Sequence, residues 1–352
     1  MANKSSKDTD PRRGRLVAST LAGSWLPSPP PAELSEEQLA EVAPLLLNAG
    51  SGGLAWRRVR GAGLRDSSAA FELQQAYRLF ALQSALHERD IRQVVPLLES
   101  FGIDAVMVKG WPVAELYPDP GARPYGDLDL CVRPDQYDLA AEVFRRPENR
   151  GFVVDLHRGF GNLDERPFDE LFARSQSIKV GGVDVRIPAA EDHLRILCAH
   201  LMRHGAVRPL WLCDVAVMLD SLPDDFDWDL CLGDGGSSDM VACSIGLAHA
   251  LLGARAECTP VKERALSLPG WMVPSVLRQW EVPFKLRRPM LTYLNDPVGA
   301  LREARHHWPN PIEATVGLRA SFNELPRLPF QLANCISRTA KLLARLPARL
   351  RD

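Results

Sequence analysis

Two aspartates one residue apart open the apolar run RPYGDLDLCV at residues 123–132, and a third, Asp155, follows in GFVVDLH. Around them stand Lys109, Gly110, Arg123 and His157. Side chains alternate across a strand, so Asp127, Asp129 and Cys131 share one face while Leu128, Leu130 and Val132 take the other. Two carboxylates about 7 Å apart along a strand repel each other. A hard divalent cation that prefers oxygen ligands relieves that repulsion, which is the chemistry of a magnesium site.

The spacing alone decides nothing, because Asp225, Asp227 and Asp229 in PDDFDWDLC repeat it. Those three precede a helical pattern and read as capping and dipole-compensating charges, without the glutamate of a calcium loop. The first pair differs by its surroundings. IDAVMVKG reads as a buried strand ending in Lys109-Gly110, WPVAELY as a short helix, and RPYG as a type I turn feeding the acidic strand.

The elements that must carry these residues follow from pattern. Ser35 and Gln38 form a capping box before EEQLAEVAPLLLNAG, which stops at Gly50. A second helix starts near Asp66 and Ser67, with Leu73, Ala76, Leu79, Leu82 and Leu86 at helical spacing. Helical residues 134–146, a strand at GFVVDLH, a helix near 168–174 and a hairpin turning at Gly181-Gly182 complete a mixed unit. Helices dominate again from AEDHLRILCAHLMRHG, with segments broken by prolines at 269, 274, 283, 289, 297, 309 and 311. The expected class is α+β: a flexible N-terminal arm at 1–33, N-terminal helices at 34–100, a small mixed-sheet core at 101–190 and a larger helical domain at 191–352. SWLPSPPPAE argues for the arm.

The string VMVKGWPVAELYPDPGARPYGDLDLCVRP resembles the signature of the uncharacterised nucleotidyltransferase family of the DNA polymerase beta superfamily. VVDLH, EDHLRILCAHLMRHG, LWLCDVAVML and FDWDLC are similar to later parts of it. The resemblance covers roughly residues 70–255 and implies a minimal nucleotidyltransferase sheet. It also implies two magnesium ions on Asp127 and Asp129, with a third carboxylate from a later strand. Asp155 matches that position, and Asp184 is held in reserve because the interval from Asp129 to Asp155 is short.

Such a trio suits transfer of NMP from ATP or another NTP to a hydroxyl, since two metals can grip the α-phosphate and neutralise departing pyrophosphate. Gly110 lets phosphate approach the backbone, and Lys109 and Arg123 can pair with triphosphate oxygens. His157 shares the face of Asp155, as a ligand-touching group or a structural imidazole. His193, His200 and His204 form one helical stripe, read either as lining of the site or as zinc ligands, although HLMRH lacks the metalloprotease glutamate. VDLHRGFGN does not fit a kinase loop, because Asn162 lies seven residues past Asp155. Neither GSGGLAW nor GAGLR has Walker or dinucleotide spacing.

A net charge of only -2 gives no field that recruits nucleic acid. Seven scattered cysteines without a Cys-x-x-Cys pair read as reduced thiols, and no signal peptide or membrane span is apparent, so a cytoplasmic protein is expected. The basic amphipathic C-terminus, with Leu332, Ile336, Leu343 and Leu346 opposite Arg338, Lys341 and Arg345, either docks on its own domain or sits on an anionic membrane. Two functions remain: a magnesium-dependent nucleotidyltransferase acting on a small-molecule or protein/peptide acceptor, and a catalytically silent relative that binds nucleotide or a partner.

Overall fold

The computed structural model describes residues 11–161, 164–233, 236–257, 259–285 and 307–349, with side chains to residue 341. Asn162, Cys258, Pro289, Pro297 and the side chains of Leu343, Arg345 and Leu346 lie outside the described residues. The chain is α+β, with a three-stranded mixed sheet and a two-stranded hairpin set among helices.

The sheet has the order β1-β2-β3, from Ala105–Met107, Leu128–Val132 and Val154–Arg158. β1 runs antiparallel to the central β2, and β3 runs parallel to it. All five residues of β2 are buried, because apolar cores form on both of its faces. Leu128, Leu130 and Val132 join Ile91, Val94 and Leu98 of helix α4 (Ser68–Ser100), together with Val180 and Val185 of the hairpin. On the other face Cys131 meets Val106, Val108, Phe168 and Ile196. The expected acidic face therefore continues into a second core. The hairpin pairs β4 (Gln176–Val180) with β5 (Val183–Ile187) and turns where Gly181 and Gly182 both have positive φ, a conformation that suits glycine.

A larger core lies among helices from both ends of the chain. Val42 and Leu46 of α2 (Glu36–Asn48) and Leu54 of α3 (Gly52–Val59) pack with Leu197 and Leu201 of α8 (Ala190–Arg203) and Val215 of α9 (Pro209–Asp220). The Ser35 and Gln38 capping box forms as its spacing predicts. Along α4 the buried side changes partner: Leu73 packs in the helical core and Ile91 to Leu98 on the sheet, while Leu79, Leu82 and Leu86 are exposed. A stripe drawn through those leucines is thus not this helix's buried face.

The flexible arm expected at 1–33 is corrected over residues 11–33. Arg12–Leu21 is helix α1, with Val17 and Leu21 in the core and Trp25 behind them. Two buried arginines of α3 hold the proline-rich stretch. Arg57 donates to the carbonyls of Ser24, Leu26 and Pro27 and pairs with Asp119; Arg58 donates to those of Ser19, Ala22, Pro30 and Pro31. Prolines carry no backbone N–H, so this segment has more carbonyl acceptors than local donors, and two guanidinium forks supply the missing ones.

The expected type I turn at Arg123–Gly126 is absent too. Residues 124–126 take no turn, and the reversal lies earlier, where Ala122 N–H donates to the Asp119 carbonyl at 3.0 Å. The C-terminal helix Leu328–Arg349 meets the Pro311–Gly317 helix through polar groups, with Arg338 2.8 Å from Glu313 and the Asn334 side chain against Gly317. Leu332 and Ile336 face solvent. Among the described residues, no helix is long and apolar enough to cross a membrane.

Candidate active site

The parallel pairing of β2 and β3 makes Asp129 and Asp155 direct register partners, with Cys131 and His157 the next pair on the same face. That register is what gathers the chemistry. His157 Nε2 lies 3.3 Å from Asp129 Oδ1 and 3.2 Å from Asp155 Oδ2, bridging the carboxylates. Among the described residues, Asp129, Asp155 and His157 are the one grouping of three acidic, histidine or cysteine side chains whose ligand atoms all fall within 4.8 Å. Oxygen ligands with one imidazole suit a divalent cation of the magnesium, manganese or zinc kind.

Lys109 enters from β1. The ladder extends one residue past that strand, where Val108 N–H donates to the Asp129 carbonyl at 2.9 Å. Lys109 then has φ +54°, ψ −112°, a conformation that side chains avoid at a cost on the order of 1–3 kcal/mol. Strain of this kind persists where surrounding contacts fix it. Here the ammonium ends 2.6 Å from Asp129 Oδ1 and 3.5 Å from His157 Nε2.

Electrostatics separate the carboxylates. Burial works against ionisation of Asp129, yet hydrogen bonds and charge from His157 and Lys109 outweigh it and hold the group below the ordinary carboxylate range. Asp127 sits just outside the strand and outside the three-residue cluster. Burial raises its pKa first, followed by repulsion from Asp129 and Asp155, against the pull of Lys109 and Arg123. The expected trio therefore divides: Asp129 and Asp155 meet through His157, and Asp127 stands beside them as a carboxylate whose ionisation burial disfavours. A cation would favour its charged form.

The remaining expected residues fall in three places. A Cβ on Gly110 would meet the Asp127 carbonyl at 3.5 Å and Asp129 Oδ2 at 3.6 Å, which are ordinary contacts. Packing does not demand glycine there, so the missing side chain leaves room beside the carboxylates. Arg123 is buried, and its fork is committed to Asp214 of α9 at 3.1 and 2.8 Å, with its third nitrogen on the Pro124 carbonyl. Tyr117 donates to the same carboxylate at 2.9 Å. Asp184 is exposed, pairs with Lys179 at 3.0 Å in the hairpin, and does not join the cluster.

The histidine stripe lines and supports the site. His200 is in the wall of the cleft, edge-on to Trp211 at 4.5 Å between ring centres, and burial keeps its pKa well below the ordinary value. His204 packs against His200 at 4.6 Å between ring centres, the two planes tilted by 55°. His193 is buried near Asp214 and Arg123, and its pKa falls to about 4 through burial and Arg123, against Asp214. These rings form no metal cluster with one another.

The three aspartates open onto a cleft of about 510 Å³ whose lining runs from Asp127, Asp129 and Asp155 to Arg208, Trp211 and Asp214. The charged lining comprises three cations and four carboxylates, leaving one negative charge. Pattern reading passed over Asp214, Tyr117, Arg208 and Trp211. One signal was present: Asp214, inside the otherwise apolar PLWLCDVAVML, must find a partner when the helix is buried.

A family model described as an uncharacterised nucleotidyltransferase matches residues 36–253. No curated protein matches significantly. Among solved structures, an antigenic nucleotidyltransferase-like protein from Paracoccidioides brasiliensis is similar at 16% identity and TM-score 0.32, over 54% of this chain and 97% of that one.

Proposed function

The chain belongs to the uncharacterised nucleotidyltransferase family, and from that premise we propose that it transfers NMP from an NTP to a hydroxyl-bearing small-molecule or peptide acceptor, releasing pyrophosphate. The observation that carries the reading is the pairing of Asp129 with Asp155 across parallel strands at the wall of an open cleft, with Lys109 beside them. Asp129, Asp155 and His157 would hold a divalent cation, with Asp127 at the edge for a second. Magnesium bound there would polarise the α-phosphate and help the acceptor hydroxyl to lose its proton.

The chain's own residues do the rest. Lys109 presents an ammonium to phosphate oxygens at the carboxylate edge. Asp155 is half-exposed while Asp129 is buried, so Asp155 is the carboxylate an acceptor can reach. It takes the hydroxyl proton as the new oxygen–phosphorus bond forms and the bond to pyrophosphate breaks. His157, touching both carboxylates, fixes their orientation. Arg123 acts one layer back, tying the loop before β2 to α9 through Asp214.

The test is release of labelled pyrophosphate from a panel of NTPs with magnesium and candidate acceptors, comparing wild type with the Asp129→Asn, Asp155→Asn double variant. Turnover that vanishes in the variant supports the enzyme. NTP binding without wild-type turnover, unchanged in the variant, makes the protein a silent binder instead.

A further inference from the structure

Arg208 stands just before α9, in the wall of the same cleft. Its Nε donates to the Ala49 carbonyl at 2.7 Å, and its guanidinium lies 5.6 Å from the Trp211 ring centre and 5.4 Å from that of Phe284. These contacts hold the inner edge of the fork and its faces. The two terminal nitrogens make no hydrogen bond among the described residues, and no carboxylate lies within ion-pairing range. The other two cations of the cleft are matched, Lys109 by Asp129 and Arg123 by Asp214.

The surroundings keep that outer edge open. Gly50 has φ +74°, and a Cβ there would lie 2.5 Å from Arg208 Nη2, so the backbone yields space where a side chain would displace the fork. Burial and the charge of Arg123 both disfavour the Arg208 cation, with Asp214 opposing. A half-buried guanidinium, held on aromatic faces with its two terminal nitrogens outward, fits an oxyanion that can take two parallel hydrogen bonds better than any cation or neutral group.

We propose that Arg208 is an oxyanion-binding subsite of the cleft, receiving a phosphate or carboxylate group of a bound substrate. The substrate's identity rests on the nucleotidyltransferase reading, and two sources supply such a group: the triphosphate tail of the nucleotide, or an anionic acceptor. Lys109 occupies the carboxylate edge, and Arg208 would hold the end of the substrate that extends towards α9.

Tripolyphosphate has the anion but no base, sugar or transferable nucleotide. It is titrated into the full chain without divalent metal, and inorganic phosphate is titrated into the chain loaded with a nonhydrolysable triphosphate and magnesium. Arg208→Ala should weaken at least one of these titrations tenfold or more, with Arg208→Lys intermediate because it keeps charge and loses the fork. A loss with tripolyphosphate assigns the subsite to the nucleotide tail; a loss confined to phosphate assigns it to the acceptor. Equal affinities for wild type and Arg208→Ala in both titrations, or no wild-type binding in either, overturns the proposal. Arg208→Gln provides a second variant should the alanine protein fail to fold, and far-ultraviolet melts check each. Absence of nucleotidyl transfer alongside a positive titration would sink the enzymatic reading and leave the subsite standing.

Discussion

Asp129 and Asp155 face each other across β2 and β3 as direct register partners, yet one is buried against Lys109 and the other is half-open to solvent. Adjacent parallel strands lie roughly 4.8 Å apart, so this pairing brings the two carboxylates closer than the 127/129 spacing along one strand does. Like charges at that distance persist because Lys109 and His157 sit against Asp129.

Asp129→Asn and Asp155→Asn should therefore part company. Asp129→Asn removes the partner of a mostly buried ammonium and should cost on the order of 3 kcal/mol of stability. Asp155→Asn touches an exposed carboxylate and should change stability by under about 0.5 kcal/mol. Both should weaken divalent binding by more than about tenfold. Urea unfolding and manganese titration followed by electron paramagnetic resonance check the two effects. Equal stability losses would contradict the assigned Lys109 pairing.

His193 predicts an acid limb in stability. Its folded pKa is about 4 against an ordinary value of 6.5, because burial and Arg123 disfavour its cation. The unfolded chain thus takes a proton that the folded chain refuses between those values. Stability is full above pH 6.5, falls as pH drops towards 4, and then levels. The loss over that interval is on the order of 3 kcal/mol for one proton. Urea midpoints from pH 7 to 4 should show an acid slope in wild type that is reduced by His193's share in His193→Gln, the remainder coming from His200, whose cation burial also disfavours.

Local chemistry made some of this readable before any fold was known. Ser35 with Gln38, and Gly181 with Gly182, encode a cap and a turn within a few residues, and both form. The Asp129–Asp155 register does not lie in any short stretch, since strand pairing is set by the cores on both faces of β2. The proline-rich segment misled for a similar reason: its order comes from Arg57 and Arg58, some thirty residues further along. The RPYG turn failed because Arg123 is drawn to Asp214, 91 residues away, which competes with local turn preference.

The Arg123–Asp214 pair supports a separate prediction. Both side chains are buried, and Tyr117 adds a third hydrogen bond. Asp214→Ala leaves Arg123 uncompensated and removes the nearest negative charge from Arg208. It should destabilise by about 3–5 kcal/mol. Asp214→Asn keeps hydrogen-bond acceptance and should cost less. If urea unfolding finds the alanine variant as stable as wild type, Arg123 has another buried partner and its supporting role is wrong.

Arg58 tests whether the N-terminal segment is held or merely nearby. Its guanidinium serves the carbonyls of Ser19, Ala22, Pro30 and Pro31, and the Arg58 carbonyl accepts from Ala32 N–H. Arg58→Met keeps much of the side chain's bulk but strips every side-chain donor, leaving several acceptors without partners. Each buried group left unsatisfied costs about 1–3 kcal/mol unless water reaches it. The economical response is local opening of residues 22–31 to water, with α1 still tethered by Val17 and Leu21 in the core. Limited chymotryptic proteolysis should then cut the variant after Trp25, since Pro27 blocks cleavage after Leu26, far faster than wild type and before the rest of the chain is degraded. Equal cleavage rates in the two proteins would mean that the segment is ordered by α1 packing alone.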